Sequence, residues 1–197
     1  MMSFHRYGGY IGGLGLHWFW NSLSDRERIA ITAYSIDSVG CSPIEGQNKR
    51  TSVSQLSFLD TYLLYAISRQ DFDVADTIIR ACEKADGTKL DSHFFLMSAG
   101  ECYYKQIKHR DNAIILAIYY FERDVGLFPE YKDDLLRLGR GKMPMVTSFQ
   151  RLAMCYEKRE RYQDAIYICQ QALEHGLRET TKTGFQGRIN RLMKKMK

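Results

Sequence analysis

The chain has 197 residues, is 45% hydrophobic and 26% charged, and carries a net charge of +5. That composition excludes the disordered class, which pairs low hydrophobicity with high net charge, and the length suits one elongated domain or a helical array with an N-terminal extension. The charge is uneven: residues 178–197 hold Arg178, Lys182, Arg188, Arg191, Lys194, Lys195 and Lys197 against Glu179 alone, a net of +6 that leaves −1 for residues 1–177, so the basic character belongs to one terminal segment and not to the body of the protein.

Residues 1–16 are rich in Gly and aromatic side chains and are expected to be irregular. Trp18, Phe19 and Trp20 follow as an apolar anchor ahead of the first helix. Ser24 with Glu27 forms a capping box, in which the Ser oxygen takes one free N–H and the Glu reaches back to another. Ile29, Ala30, Ala33 and Ile36 then recur at helical spacing and predict the inward stripe of that helix. Residues 37–52 hold Gly40, Pro43, Gly46 and Asn48, which mark a loop and a boundary between residues 1–52 and a helical domain over 53–197.

From residue 53 the chain reads as consecutive helices. Leu56, Leu59, Leu63, Ala66 and Ile67 form one stripe. Asp71 is expected to cap the next helix, with Phe72, Ala75, Ile78, Ile79 and Cys82 inward and Gly87 after it. Asp91 or Ser92 starts a helix carrying Phe95, Leu96, Ala99, Cys102 and Tyr103. Asp111 starts another carrying Ile114, Ile115, Ala117, Ile118 and Phe121, which Gly126 and Pro129 end. Tyr131–Leu138 reads as a separate short helix closed by Gly139-Arg140-Gly141. Pro144 suits the first turn of the helix after that, where its missing N–H costs nothing. Phe185, Ile189 and Leu192, with basic residues between them, describe a polar-backed terminal helix. No segment alternates in the manner of a strand.

The sharpest local pattern lies at residues 146–179. Counted from Val146, Phe149, Leu152, Ala153, Tyr156, Tyr162, Ala165, Cys169 and Ala172 fall at positions 4, 7, 8, 11, 17, 20, 24 and 27 of a 34-residue unit. Small residues at 8, 20 and 27 let two antiparallel helices approach to about 8–10 Å, and large residues fill the rest. The stretch YEKRERYQDAIYICQQALEHG closely resembles the tetratricopeptide-repeat family. Leu177 departs from the family pattern at position 32, where proline is common. Residues 56–85 and 92–125 resemble two weaker units, the second needing a one-residue shift between its halves. Residues 55–197 also resemble a group of bacterial helical-repeat proteins of unassigned function. The resemblance implies an all-α fold: tetratricopeptide-like antiparallel hairpins in a right-handed superhelix, with an N-terminal helical extension and a C-terminal capping helix.

Chemistry-bearing patterns are sparse. The five cysteines, Cys41, Cys82, Cys102, Cys155 and Cys169, are odd in number and contain no CxxC, which points to a reducing compartment without a disulfide framework. His5, His17, His93, His109 and His175 form no HxxxH or HExxH pair and read as surface or capping residues. Gly139-Arg140-Gly141-Lys142 lacks both the first glycine and the Ser or Thr of a phosphate loop, since Leu136 and Met143 stand there. No run approaches the roughly 20 apolar residues of a membrane span, and no secretory leader is evident. The expectation is a cytoplasmic, non-enzymatic scaffold that takes no metal or cofactor and binds protein or peptide. Family geometry carries its groove positions 5, 9 and 13 onto Gln150, Met154 and Lys158, and, counted from His93, onto Met97, Glu101 and Lys105. Such a groove suits an extended peptide or a helix, with Lys pairing a carboxylate. Homodimerisation through exposed array ends is compatible with this reading. The alternatives are nucleic-acid association through Arg188, Arg191, Lys194, Lys195 and Lys197, which is not preferred, and an enzyme with an unrecognised site.

Overall fold

The computed structural model describes residues 7–197; His5 lies outside them. Among the described residues the secondary structure is helical, and the one β-type pairing is an isolated bridge between Gly9 and Asn48. None of the helices is long and apolar enough to cross a membrane. The chain forms two compact units, the first ending at Asp91 and the second spanning Ser92–Lys197.

The first unit holds α1 (Gly9–Gly13), α2 (His17–Ser22), α3 (Asp25–Val39), α4 (Gln55–Ser68) and α5 (Phe72–Cys82). The glycine-rich start is therefore not irregular throughout. Its glycines let backbone approach backbone: a Cβ at Gly8 would stand 1.8 Å from Gly46 O, and one at Gly13 2.0 Å from Lys49 O. Across that contact Gly8 N–H donates to Ile44 O, Gly9 N–H to Gln47 O, Ile11 N–H to Pro43 O and Lys49 N–H to Gly9 O, at 2.9–3.2 Å. The loop after α3 is thus stapled onto α1. The Trp18–Trp20 anchor is itself helical, with Phe19 and Trp20 buried and Trp18 37% exposed.

The Ser24–Glu27 capping box is present: Ser24 N–H donates to Glu27 Oε2 at 2.7 Å and Glu27 N–H to Ser24 Oγ at 3.4 Å. The expected stripe on α3 is wrong in phase. Ile29 is 72% and Ile36 51% exposed, and Ile31, Tyr34 and Ser35 are the buried residues. Three polar contacts, two of them non-local, accompany this rotation. Tyr34 Oη donates to Asp71 at 3.4 Å, Ser35 Oγ to Cys41 O at 2.8 Å, and Thr77 Oγ1 to Glu27 at 2.6 Å. On α4 the expected stripe of Leu56, Leu59, Leu63, Ala66 and Ile67 is buried throughout, and Ser54 caps the helix through Ser57 N–H. Asp71 stands at the start of α5 without capping it through its side chain. On α5 Ala75, Ile78, Ile79 and Cys82 are buried as expected, and Phe72 only partly.

The second unit takes most of α6 (Lys89–Gln106), then α7 (Ala113–Leu138), α8 (Thr147–Lys158), α9 (Tyr162–Glu174) and α10 (Gly184–Lys195). The start of α6 is set by Thr88, whose Oγ accepts from Asp91 N–H while Asp91 takes Thr88 N–H. One helix replaces the two expected around Pro129. Proline inside a helix removes one backbone bond and costs about 3 kcal/mol or more. Here Pro129 is exposed, while Ala117, Phe121, Phe128, Tyr131 and Leu135 bury one continuous face on either side of it. Asp111 does not begin α7, which starts at Ala113 after Asn112, and Ile115 is 59% exposed. Nor does Pro144 lie in the first turn of α8: it precedes the helix and packs beside Gly139.

Residues 146–179 contain the helical hairpin α8–α9, whose two helices pack on one another. Phe149, Leu152, Ala153, Tyr156, Ala165, Cys169 and Ala172 are all buried, and Tyr162 is half-buried. Gly176 adopts a left-handed conformation (φ 69°) and Leu177 N–H returns to Ala172 O at 2.8 Å, closing α9 as a Schellman turn. Next, α10 packs on α9 through Phe185, Ile189 and Leu192.

Candidate groove on helices six and eight

In the second unit Arg151 of α8 reaches Glu101 and Tyr104 of α6. Gly100, at position 8 of the unit counted from His93, lies against Phe121 of α7; a Cβ there would stand 2.4 Å from the ring. On α8 Ala153 has the same position and is fully buried. The candidate groove residues stand three before, one after and five after these small positions. Met97, Glu101, Gln150 and Met154 are half-buried, and Lys105 and Lys158 are exposed.

Their polar groups are not equally available. Arg151 forks onto Glu101, with Nε to Oε2 and Nη2 to Oε1 both at 2.8 Å, a bidentate pair of the stronger kind. The same guanidinium lies 4.6 Å over the Tyr104 ring, and burial pushes the Tyr104 hydroxyl pKa up. Glu101 is thus a tie between helices more than an open acceptor. Gln150 exchanges hydrogen bonds with Thr180 at 3.1 and 3.3 Å. What remains outward is two thioethers and two ammonium groups. Arg151 and Tyr104 were missed from sequence; their signal was adjacency, since each sits next to or three residues beyond a groove position.

Three of the seven cations of the basic terminal segment are paired with the protein's own carboxylates. Arg188 is only 5% exposed and donates to Glu179 at 3.0 Å and Glu157 at 3.3 Å. Arg191 and Lys195 also reach Glu157, at 3.1 and 2.8 Å. Burial alone would raise the Glu157 pKa, but hydrogen bonds from Lys195 and Arg191 hold it below the ordinary carboxylate range.

His93 corrects the reading of histidines as surface or capping groups. It is 2% exposed, its Nδ1 lies 2.7 Å from Asp124 Oδ1, and its ring stacks on Tyr131 with centroids 4.2 Å apart. Tyr131 Oη donates to Asp124 O at 3.5 Å, and burial drives its pKa up. Asp124 is fully buried. Both residues lie in phase with apolar stripes: Asp124 falls between Phe121 and Phe128, and His93 three residues before Leu96. That register was the signal available in the sequence. A His–Asp pair can orient a proton shuttle, but this one is shut away from solvent and reads as a polar tie between α6 and α7. Among the described residues no group of three His, Cys, Asp or Glu side chains is placed to hold a metal ion.

A protein of Aquifex aeolicus (strain VF5), described as uncharacterised, is 22% identical to this chain over 183 residues, covering 88% of each. No family model matches the chain, and no solved structure matches it.

Proposed function

We propose that the second unit is a non-enzymatic scaffold of tetratricopeptide-like hairpins that binds a protein or peptide along the α6–α8 face. The burial of Ala153, Ala165 and Ala172, each with 0% exposure, carries this reading. Those are the positions where close helix approach demands small side chains, and their burial leaves the intervening residues to form an outward row. In that row Met97 and Met154 offer adaptable apolar contact, while Lys105 and Lys158 offer cations. The occupant that fits is an extended or helical segment with an apolar side chain flanked by carboxylates.

The competing reading, phosphate binding through the terminal helix, is weakened by Arg188, Arg191 and Lys195 being paired with Glu157 and Glu179.

The test is charge reversal. Lys105→Glu with Lys158→Glu is expected to weaken capture of a crosslinked partner about tenfold, a loss of roughly 1.4 kcal/mol, while Lys194→Glu on α10 leaves capture unchanged. Unaltered capture by a double variant that melts like the wild type would sink the groove. A second copy of this chain is the other candidate occupant, and sedimentation over a concentration series identifies it.

A further inference from the structure

Loop 40–50 is held more tightly than its surface position requires. Four of its residues bond to the backbone of the Gly8–Ile11 segment, and Ser35 anchors Cys41 O. Within that frame Lys49 Nζ lies 2.7 Å from Cys41 Sγ and 4.8 Å over the Tyr10 ring. Both side chains are partly open to solvent. The other cysteines are not comparable: Cys82, Cys102, Cys155 and Cys169 are buried, and burial pushes the thiols of Cys155 and Cys169 up to about 12. A thiol reacts as its thiolate, and reactive cysteines sit in partly exposed sites beside a cation. Cys41 alone among the five meets that description.

We propose that Cys41 is a peroxide-reactive thiol and that Lys49 captures its oxidised form as a sulfur–nitrogen bond. In the first step the Cys41 sulfur attacks one oxygen of a hydroperoxide. The O–O bond breaks, Cys41 becomes a sulfenic acid, and the peroxide's other oxygen leaves as water or alcohol. In the second step the neutral amine of Lys49, having lost its ammonium proton to solvent, attacks the same sulfur. The S–O bond breaks, the hydroxyl leaves with a proton as a second water, and Cys41 Sγ is joined to Lys49 Nζ. Sulfur has lost two electrons, the peroxide has gained them, and the protein has lost two hydrogens. Two equivalents of thiol reverse the bond, returning Cys41–SH and the amine with one disulfide of the reductant. The bond closes the loop across Pro43 and Gly46, the residues that dock on α1, and so locks that docking.

The full-length protein is treated with graded hydrogen peroxide and examined by intact mass and peptide mapping. The expected product is lighter by two hydrogens, joins the Cys41 and Lys49 peptides, resists trypsin after Lys49 and reverts with dithiothreitol. It takes up little dimedone. Lys49→Arg, checked for an unchanged melting curve, is expected to leave a Cys41 sulfenic acid that dimedone labels strongly; Cys41→Ser shows neither product. The wild-type peptide map decides the matter even if the variant folds poorly. The proposal is overturned if Cys41 stays reduced, if it forms a disulfide between two copies, or if dimedone labels wild type and Lys49→Arg alike.

Discussion

The C-terminal helices α8–α10 and the N-terminal segment α1–α3 with its loop are built on different rules. In the former, side-chain size repeats at fixed spacing, and each small residue lies where two helices close on one another. In the latter, glycine backbone meets loop backbone, and hydrogen bonds between residues far apart in sequence accompany the inward turn of one face of α3. Periodicity encodes the first kind of packing directly. It says little about the second, because those contacts are not periodic.

Arg188 offers the largest test of this contrast, since it is a charged residue inside the periodic region. It is nearly buried between Glu179 and Glu157. Removing one partner of a buried pair strands the other, at about 3–5 kcal/mol. Arg188→Ala is therefore expected to lower the unfolding free energy by that amount, read from the urea transition by circular dichroism. Adding Glu179→Leu should recover much of the loss, because the stranded carboxylate is gone. If Arg188→Ala is neutral, the region is held by its apolar residues alone.

The next test lies on α3. Ile31→Ala empties a fully buried site and is expected to cost about 2–5 kcal/mol, whereas Ile29→Ala, at a 72% exposed site, should stay within about 0.5 kcal/mol. The only two tryptophans of the chain lie at Trp18 and Trp20, so their emission reports on this segment. A reversal of the two effects would restore the phase read from the sequence and overturn the observed rotation of α3.

The same contrast explains what was legible. The stripes of α4 and α6, the α8–α9 hairpin, the Ser24 cap and the apolar face of α10 were all readable, since each rests on local spacing. The fusion across Pro129 was not, because the gain comes from a buried face extending to Leu135 that outweighs one lost backbone bond. The loop at 37–52 was legible as a loop, but its docking on α1 was not: glycine marks a turn and a close backbone approach with the same letter. Along the α6–α8 face Met97, Lys105, Met154 and Lys158 were placed by the groove geometry that the tetratricopeptide-repeat resemblance implies. The Arg151–Glu101 fork and the His93–Asp124 pair were not legible, since they join residues 50 and 31 positions apart on different helices.

Acid titration separates the regions by the weakest effect. Glu157, in the C-terminal helices, has its pKa lowered against the pull of burial by hydrogen bonds from Lys195 and Arg191. Glu27, at the start of α3, is lowered against burial by hydrogen bonds from Ser24 and Thr77, with Arg80 a lesser cause. A carboxylate whose folded pKa is depressed contributes stability that is present above its unfolded value and is lost as pH falls through its folded one. Both groups therefore contribute in full above pH 4.5, their ordinary value, and lose that contribution as the pH falls from there through their lower folded values. Glu157→Gln and Glu27→Gln should each destabilise at neutral pH, with the deficit closing as the medium is acidified past 4.5. Salt then distinguishes them. Glu157 is held chiefly by partly exposed cations, which salt screens, and Glu27 chiefly by hydroxyl and amide donors, which salt affects little. Added salt should shrink the Glu157→Gln deficit and leave that of Glu27→Gln nearly unchanged; equal responses would mean that the charge network on α10 contributes no more than the neutral cap on α3.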